Sequence, residues 1–310
     1  MADTDITEQT DDPVLEAEQA HLDELYAELV RIRDHITKEL GENHAESVRD
    51  LLRMSEEVHV DAFDADEQNY DDIAEAAAAI ETLNGIIDTY NLYHDSNVEK
   101  LRRVTMLLLQ PFFAKVTLEM RPGRPPRDVY IGNVGITDER SRPLVVDWRS
   151  PVAETYYNQE MGRTSYSVDG RVRTVNLLLR RQFDVVRDHI NMWFDTSVAI
   201  EDSLLLGALK RNHSEKLQAI TATIQREQNL IVRHEDVPVL LVNGIAGSGK
   251  TSVLLQRIAY LLYRERKTLS ADQVWLFTPN SVFEHYIDTV LPSMGESNPR
   301  IFTWRDFVEE

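Results

Sequence analysis

One stretch constrains the fold more than any other. The apolar run Val239-Leu240-Leu241-Val242 leads into Gly244-Ile245-Ala246-Gly247-Ser248-Gly249-Lys250-Thr251-Ser252. Val253, Leu254, Ile258, Leu261 and Leu262 then recur at helical spacing. Strand, glycine loop and helix N-terminus in that order form the arrangement that wraps backbone N–H groups around phosphate oxygens. Gly244 to Thr251 fits G-x-x-x-x-G-K-[ST]. In that pattern the lysine, Lys250, reaches the β/γ-phosphates and the hydroxyl, Thr251, ligates Mg²⁺. The run 239–242 is expected to be a buried strand.

The same alternation continues downstream. Val274–Phe277 reads as a strand, Ser281–Leu291 as a helix and Arg300–Thr303 as a further strand. Strand and helix in alternation open a parallel α/β sheet. Upstream, a helix is expected at about 197–234, with Ile220, Ile224, Ile231 and Val232 as its apolar stripe. Residues 197–310 are therefore read as the first part of an incomplete P-loop domain of RecA type.

The N-terminal third is of another kind. The net charge is −20, and residues 1–110 carry all of it, with 28 acidic against 8 basic side chains. So acidic a segment does not bind phosphate backbones, and it suits a solvated tail or an arm that meets a basic surface. Residues 1–13 read as a disordered acidic tail. Leu15, Leu22, Leu25, Leu29, Ile32 and Ile36 then trace a heptad seam. Gly41-Glu42-Asn43 is expected to break this helix, and Asn43 with Glu46 to restart it. A second seam runs through Ile73, Ile80, Leu83, Ile87 and Tyr90. Between the two lies an acidic tip with Asp61, Asp64, Asp66, Glu67, Asp71 and Asp72. An antiparallel coiled-coil arm over 14–110 follows. Its last helix is expected to start at the capping pair Ser96 and Glu99 and to end at Pro111.

Between arm and glycine loop, residues 111–196 read as a small, mostly antiparallel β unit. Its expected strands are Val129–Val134, Leu144–Trp148, Thr155–Tyr157, Thr164–Val168, Val172–Leu179 and Gln182–Val186. Asp169-Gly170 supplies a hairpin turn. Asp147 and Arg149, flanking Trp148, are expected to form a structural ion pair.

Cysteine is absent, which fits a reducing cytoplasm and excludes disulfides and thiolate metal sites. The nine histidines have no ligand spacing, so no zinc site is expected. The polar N-terminus is unlike a signal peptide, and no apolar run approaches the ~18 residues of a membrane span. A cytoplasmic location without membrane contact is expected.

Ile224-Gln225-Arg226-Glu227-Gln228 ahead of Gly244–Thr251 resembles the glutamine motif and Walker A loop of the UvrD/Rep superfamily 1 helicases. The acidic hairpin, Tyr130-Ile131-Gly132, Asp147–Pro151 and Arg180-Arg181-Gln182-Phe183 narrow the resemblance to HelD-like proteins, ATPases that associate with bacterial RNA polymerase. The resemblance implies that Gln228 reads adenine. It implies that Gly244, Ile245, Ala246, Gly247, Ser248, Gly249, Lys250, Thr251 and Ser252 hold ATP with Mg²⁺ on Thr251. It places Thr278, Asn280 and Thr303 where such proteins touch single-stranded DNA. It also implies that the arm enters the secondary channel of core RNA polymerase and helps to release it from nucleic acid. No apolar strand ending in Asp-Glu follows residue 251, and no second motor domain is present. A fragment of a longer protein, inactive alone in ATP hydrolysis, is the expectation. A repair helicase and a non-enzymatic polymerase-binding module are the competing readings.

Overall fold

The computed structural model describes residues 12–64, 91–157, 161–168, 170–195, 227–234 and 237–309. They form an α/β protein with a mixed sheet, in two compact units. One unit is Ala27–Thr105, and the other joins the N-terminus to Tyr26 with Met106–Glu310.

Helix α1 spans Pro13–Asp64 without interruption. Asp12 caps it, its carboxylate accepting from the Val14 and Leu15 amides at 3.0 and 3.3 Å. Pro13 follows at the first helical position, where a missing N–H costs nothing. The predicted break at Gly41–Asn43 does not occur, so the Asn43–Glu46 pair is helix interior. A glycine costs a helix only ~1 kcal/mol, and the buried seam ahead of it outweighs that. Leu22, Leu25, Leu29 and Ile36 of the seam are buried. The second seam, residues 73–90, lies outside the described residues. The returning helix, α2, is already helical at 91 and ends at 109, just before Pro111. Ser96 is therefore not a cap, and Glu99 pairs with Arg102 and Arg103 instead. Tyr93 of α2 donates to Glu39 of α1 at 3.4 Å.

The β unit is larger than expected. Its strands are β1 (Ala114–Glu119), β2 (Arg127–Gly132), β3 (Ile136–Thr137), β4 (Pro143–Asp147), β5 (Gly162–Val168), β6 (Arg171–Val186) and β7 (His189–Asp195). They form one seven-stranded sheet in the order β3-β4-β2-β1-β6-β5, with β7 also on β6. All pairings are antiparallel except β2 with β4. β5 and β6 pair antiparallel as the expected hairpin requires, with Val168 opposite Arg171, while residue 169 lies outside the described residues. The two strands expected at 172–179 and 182–186 are one 16-residue strand. Thr155–Tyr157, expected as a strand, is part of the one-turn helix α3 (Glu154–Tyr157). Pro151 opens a 3₁₀ turn directly ahead of it, and helical spacing buries Thr155, Tyr156 and Tyr157 together. β1 lies at the sheet centre, with Val116 and Leu118 fully buried. Each such side chain contributes about 1.5–3 kcal/mol.

A buried charge cluster fixes the base of α1 to this sheet. Glu18, 3% exposed, accepts from the Lys115 ammonium, from the Arg181 guanidinium at 2.7 Å and from the Tyr130 hydroxyl at 2.8 Å. Arg181 also forks onto Asp195 at 2.6 and 2.9 Å and lies 4.5 Å from the Trp193 ring. Burial, with Glu18 next, raises the Tyr130 phenol far above its ordinary range. His21 stacks on Tyr130 at 3.9 Å, and among the described residues its buried Nε2 has no partner. Burial is the largest influence on His21 and holds its pKa below the ordinary 6.5. Lys115 acts in the same sense, while Glu18, Glu24 and Asp128 oppose it. Between the lowered folded value and 6.5, the unfolded chain binds the extra proton. Stability therefore falls as pH drops through that window. His21→Phe keeps the stacking ring and should flatten this slope in denaturant titrations between pH 7 and 5. An unchanged slope would assign the acid sensitivity elsewhere.

The C-terminal part holds helix α4 at 227–232, α5 (Lys250–Arg264), β8 (Trp275–Thr278), α6 (Ser281–Ser293), β9 (Arg300–Thr303) and α7 (Trp304–Glu309). β8 and β9 are parallel and in register from Trp275 with Arg300 to Thr278 with Thr303. That is the expected strand–helix–strand unit. Val239–Val242 is not a strand, however, and Val239 and Leu241 are 82% and 88% exposed. A parallel strand needs neighbours to take up its N–H and C=O groups. Among the described residues the parallel sheet has two strands, and neither pairs with 239–242. Among the described residues no helix is long and apolar enough to cross a membrane.

Candidate functional site

The glycine loop leads directly into α5, whose first residue is Lys250. Gly249 caps that helix in the left-handed region at φ 81°, a conformation that an L side chain rarely adopts. A Cβ there would meet the Gln228 carboxamide nitrogen at 2.8 Å. At Gly244 a Cβ would stand 2.5 Å from the Ser248 hydroxyl. The backbone thus requires glycine at 249, while at 244 a side chain would displace the Ser248 hydroxyl.

Gln228, on α4, donates from its carboxamide to the Ser248 carbonyl at 3.1 Å. This ties the helix ahead of the loop to the loop itself, across 20 residues of sequence. Lys250 folds back, its ammonium donating to the Gly244 and Ile245 carbonyls at 2.9 and 2.7 Å. It thereby spans the mouth of the loop. Ile245, Ala246 and Gly247 are exposed, while Ser248, Gly249, Lys250 and Thr251 are half-buried. Ser252 is exposed. The sequence-predicted residues of the loop and Gln228 are therefore brought together, with one cation poised among carbonyls at a helix N-terminus. An anion held there meets backbone N–H groups, the positive end of the helix dipole and an ammonium.

The other predicted positions are more dispersed. Thr278 ends β8, is 7% exposed, and donates to the Asn280 and Phe302 carbonyls at 3.3 and 3.5 Å. The Asn280 side chain accepts from the Phe283 amide at the start of α6. Thr303 donates to Asp306 at 2.6 Å. All three are engaged in local structure. Asp61 and Asp64 fall in the last turn of α1, and Asp66, Glu67, Asp71 and Asp72 lie outside the described residues.

Asp147 and Arg149 form the ion pair that the sequence suggested, with Nε on Oδ1 at 2.8 Å and Nη2 on Oδ2 at 2.7 Å. Arg149 extends further, to Glu296 and over the Tyr263 ring at 4.7 Å. Burial depresses Arg149, but the hydrogen bonds and charge of Asp147, then Glu296, more than offset it and hold its pKa raised. Arg233 was not singled out by sequence. It lies at the end of α4, near Gln228, and donates to the Trp148 and Arg149 carbonyls at 2.6 and 3.3 Å. Its spacing of five residues from Gln228 was the available signal. For Glu296, 147 residues from Arg149, there was none.

Residues 15–215 match the family model described as DNA helicase IV HelD, N-terminal domain. Residues 224–280, which include Gln228 and the glycine loop, match the UvrD/REP helicase N-terminal domain. No curated protein matches the chain.

Proposed function

The chain belongs to the family of the HelD helicase N-terminal domain within the UvrD/Rep helicases, and from that premise we propose that it is the ATP-binding, polymerase-docking part of a helicase-like motor. The observation that carries this is the Gln228 bond to Ser248, which supports reading the two as one site, the glutamine toward adenine and the loop toward phosphate. In this reading 197–310 is the start of a RecA-like P-loop domain, 111–196 a β platform and 14–110 the acidic arm.

The residues of the loop have separate tasks. Gln228 presents its carboxamide to the adenine edge. The loop amides between Gly244 and Thr251 take the phosphate oxygens. Lys250 exchanges the Gly244 and Ile245 carbonyls for the β/γ-phosphates, and its charge moves only as far as its stem allows. The Thr251 hydroxyl would hold Mg²⁺, which would supply charge neutralisation at the phosphates. Lys250→Ala should weaken binding of a fluorescent ATP analogue with Mg²⁺ at least tenfold, with the fold intact by circular dichroism. Equal affinity would remove the loop from nucleotide binding.

The arm is read through its charge. A segment with 28 acidic and 8 basic residues up to position 110 fits a channel lined with basic side chains. A capture assay tests the docking. Core RNA polymerase should retain the whole chain, and lose it when 27–105 is replaced by a short linker that leaves the Glu18 cluster intact. Retention without those residues would refute docking through the arm. Competition by single-stranded DNA with a steep salt dependence would favour the DNA-helicase reading.

A further inference from the structure

Helix α4 carries Gln228 and ends one turn later, and a side chain of α5 fastens that end. Arg257 sends a single nitrogen, Nη1, to the carbonyls of Ile231, Val232 and His234, at 2.8, 3.2 and 2.8 Å. The last carbonyls of a helix have no partner within it, and a cation there also meets the negative end of the helix dipole. Two turns of α5 separate Arg257 from Lys250, so both leave that helix from one face. One helix thus bears the lysine of the glycine loop and the arginine that holds α4 in place. The fit at the other end has no slack. The Gln228 nitrogen donates to the Ser248 carbonyl at 3.1 Å, and it lies 2.8 Å from where a Cβ on Gly249 would stand.

We propose that Arg257 is a positioning residue: by holding the C-terminal carbonyls of α4 to α5, it sets where the Gln228 carboxamide stands over the loop, and with it base preference rather than phosphate affinity. The inference rests on the reading of Gln228 and the loop as an ATP site. A carboxamide has two N–H donors and one acceptor oxygen. Ser248 takes one donor of Gln228, and among the described residues the other donor and the oxygen are left for a ligand. That pair matches N7 and the N6 amino group of adenine. Guanine presents O6 in place of the amino group, so the carboxamide oxygen would face a second acceptor. Such bonds weaken steeply away from their narrow range of length and angle, so a small displacement of α4 erases the distinction. The loop amides and Lys250 do not depend on α4, and phosphate binding should outlast that displacement.

Titrations of the 310-residue chain with fluorescent ATP and GTP analogues, and with Mg–tripolyphosphate as competitor, test this. The unsubstituted chain should prefer ATP. Arg257→Met should lower that preference about tenfold, as the loss of one to two hydrogen bonds would, and leave the affinity for tripolyphosphate unchanged. Arg257→Lys keeps the charge without the planar fork and should keep an intermediate preference. Gln228→Ala should lose the preference as well, and adding Arg257→Met to it should cost nothing further. A parallel loss of all three ligands in Arg257→Met would show a merely structural role and overturn the proposal, as would additive losses in the double variant. If Arg257→Met does not fold, Arg257→Lys carries the test, and an undiminished preference there overturns it. Indifference to the base in the unsubstituted chain would refute the reading of Gln228 itself, whereas a preference that survives Arg257→Met refutes the role of Arg257 alone.

Discussion

Glu18→Ala should lower the melting temperature of the chain by roughly 6–15 °C, from a loss of about 3–5 kcal/mol. The substitution leaves Lys115 and Arg181, whose side chains are 8% and 9% exposed, without the carboxylate they share. An uncompensated buried charge costs more than the pair it came from was worth. Tyr130 loses an acceptor at the same time. Arg181 keeps its fork onto Asp195, so the loss falls mainly on Lys115, whose remaining partner, Asp128, is half-exposed and 3.5 Å away. The cost is therefore in charge burial rather than packing. A triple variant, Glu18→Leu with Lys115→Met and Arg181→Leu, should recover much of the loss, because matched apolar groups replace a buried cluster at little cost. Differential scanning calorimetry checks both. A shift below 2 °C for Glu18→Ala would mean that water reaches the cluster and screens it.

Arg149→Leu should be nearly as severe, at about 3 kcal/mol, because it strands Asp147, 7% exposed, and frees Glu296. Arg149→Lys should rescue only part of that, since a point charge cannot fork onto both Asp147 oxygens. Adding Asp147→Asn to Arg149→Leu should soften the loss by removing the stranded charge. Urea titrations of Arg149→Leu, Arg149→Lys, Asp147→Asn and the double variant give the comparison. Additive losses from Asp147→Asn and Arg149→Leu would show that the two residues do not act as a pair.

Much of this architecture was legible in the chain. The heptad leucines, the glycine loop and the 169–170 hairpin depend on local spacing, and local spacing is what a sequence displays. β1 was missed although Ala114–Glu119 alternates apolar and polar residues just behind the helix-ending Pro111, so both of its signals stood in the sequence. Tyr156 and Tyr157 looked like strand residues, since aromatics favour strands in general. Tertiary burial beside Pro151 decided otherwise. The exposed run 239–242 shows the converse: an apolar segment declares that it can be buried, but not that its neighbours are in place. Within the site, Gln228 and Lys250 were found by motif. Arg233 and Glu296 were not, because their roles depend on which carbonyl or guanidinium folding brings near.

The Glu18 cluster also has a history in time. Glu18 and Arg181 are 163 residues apart in sequence. At a synthesis rate of about 5–20 residues per second, on the order of 8–30 s separates the emergence of one from that of the other. Lys115 and Tyr130, 97 and 112 residues after Glu18, emerge within that interval, and the carboxylate waits longest for Arg181. The local pairs β1–β2, β5–β6 and β6–β7 can close as soon as they are made, whereas the β1–β6 pairing must wait for β6. The N-terminal helix is thus the first element synthesised and among the last to be fastened, so the growing chain stays unfinished at its base until β6 has emerged.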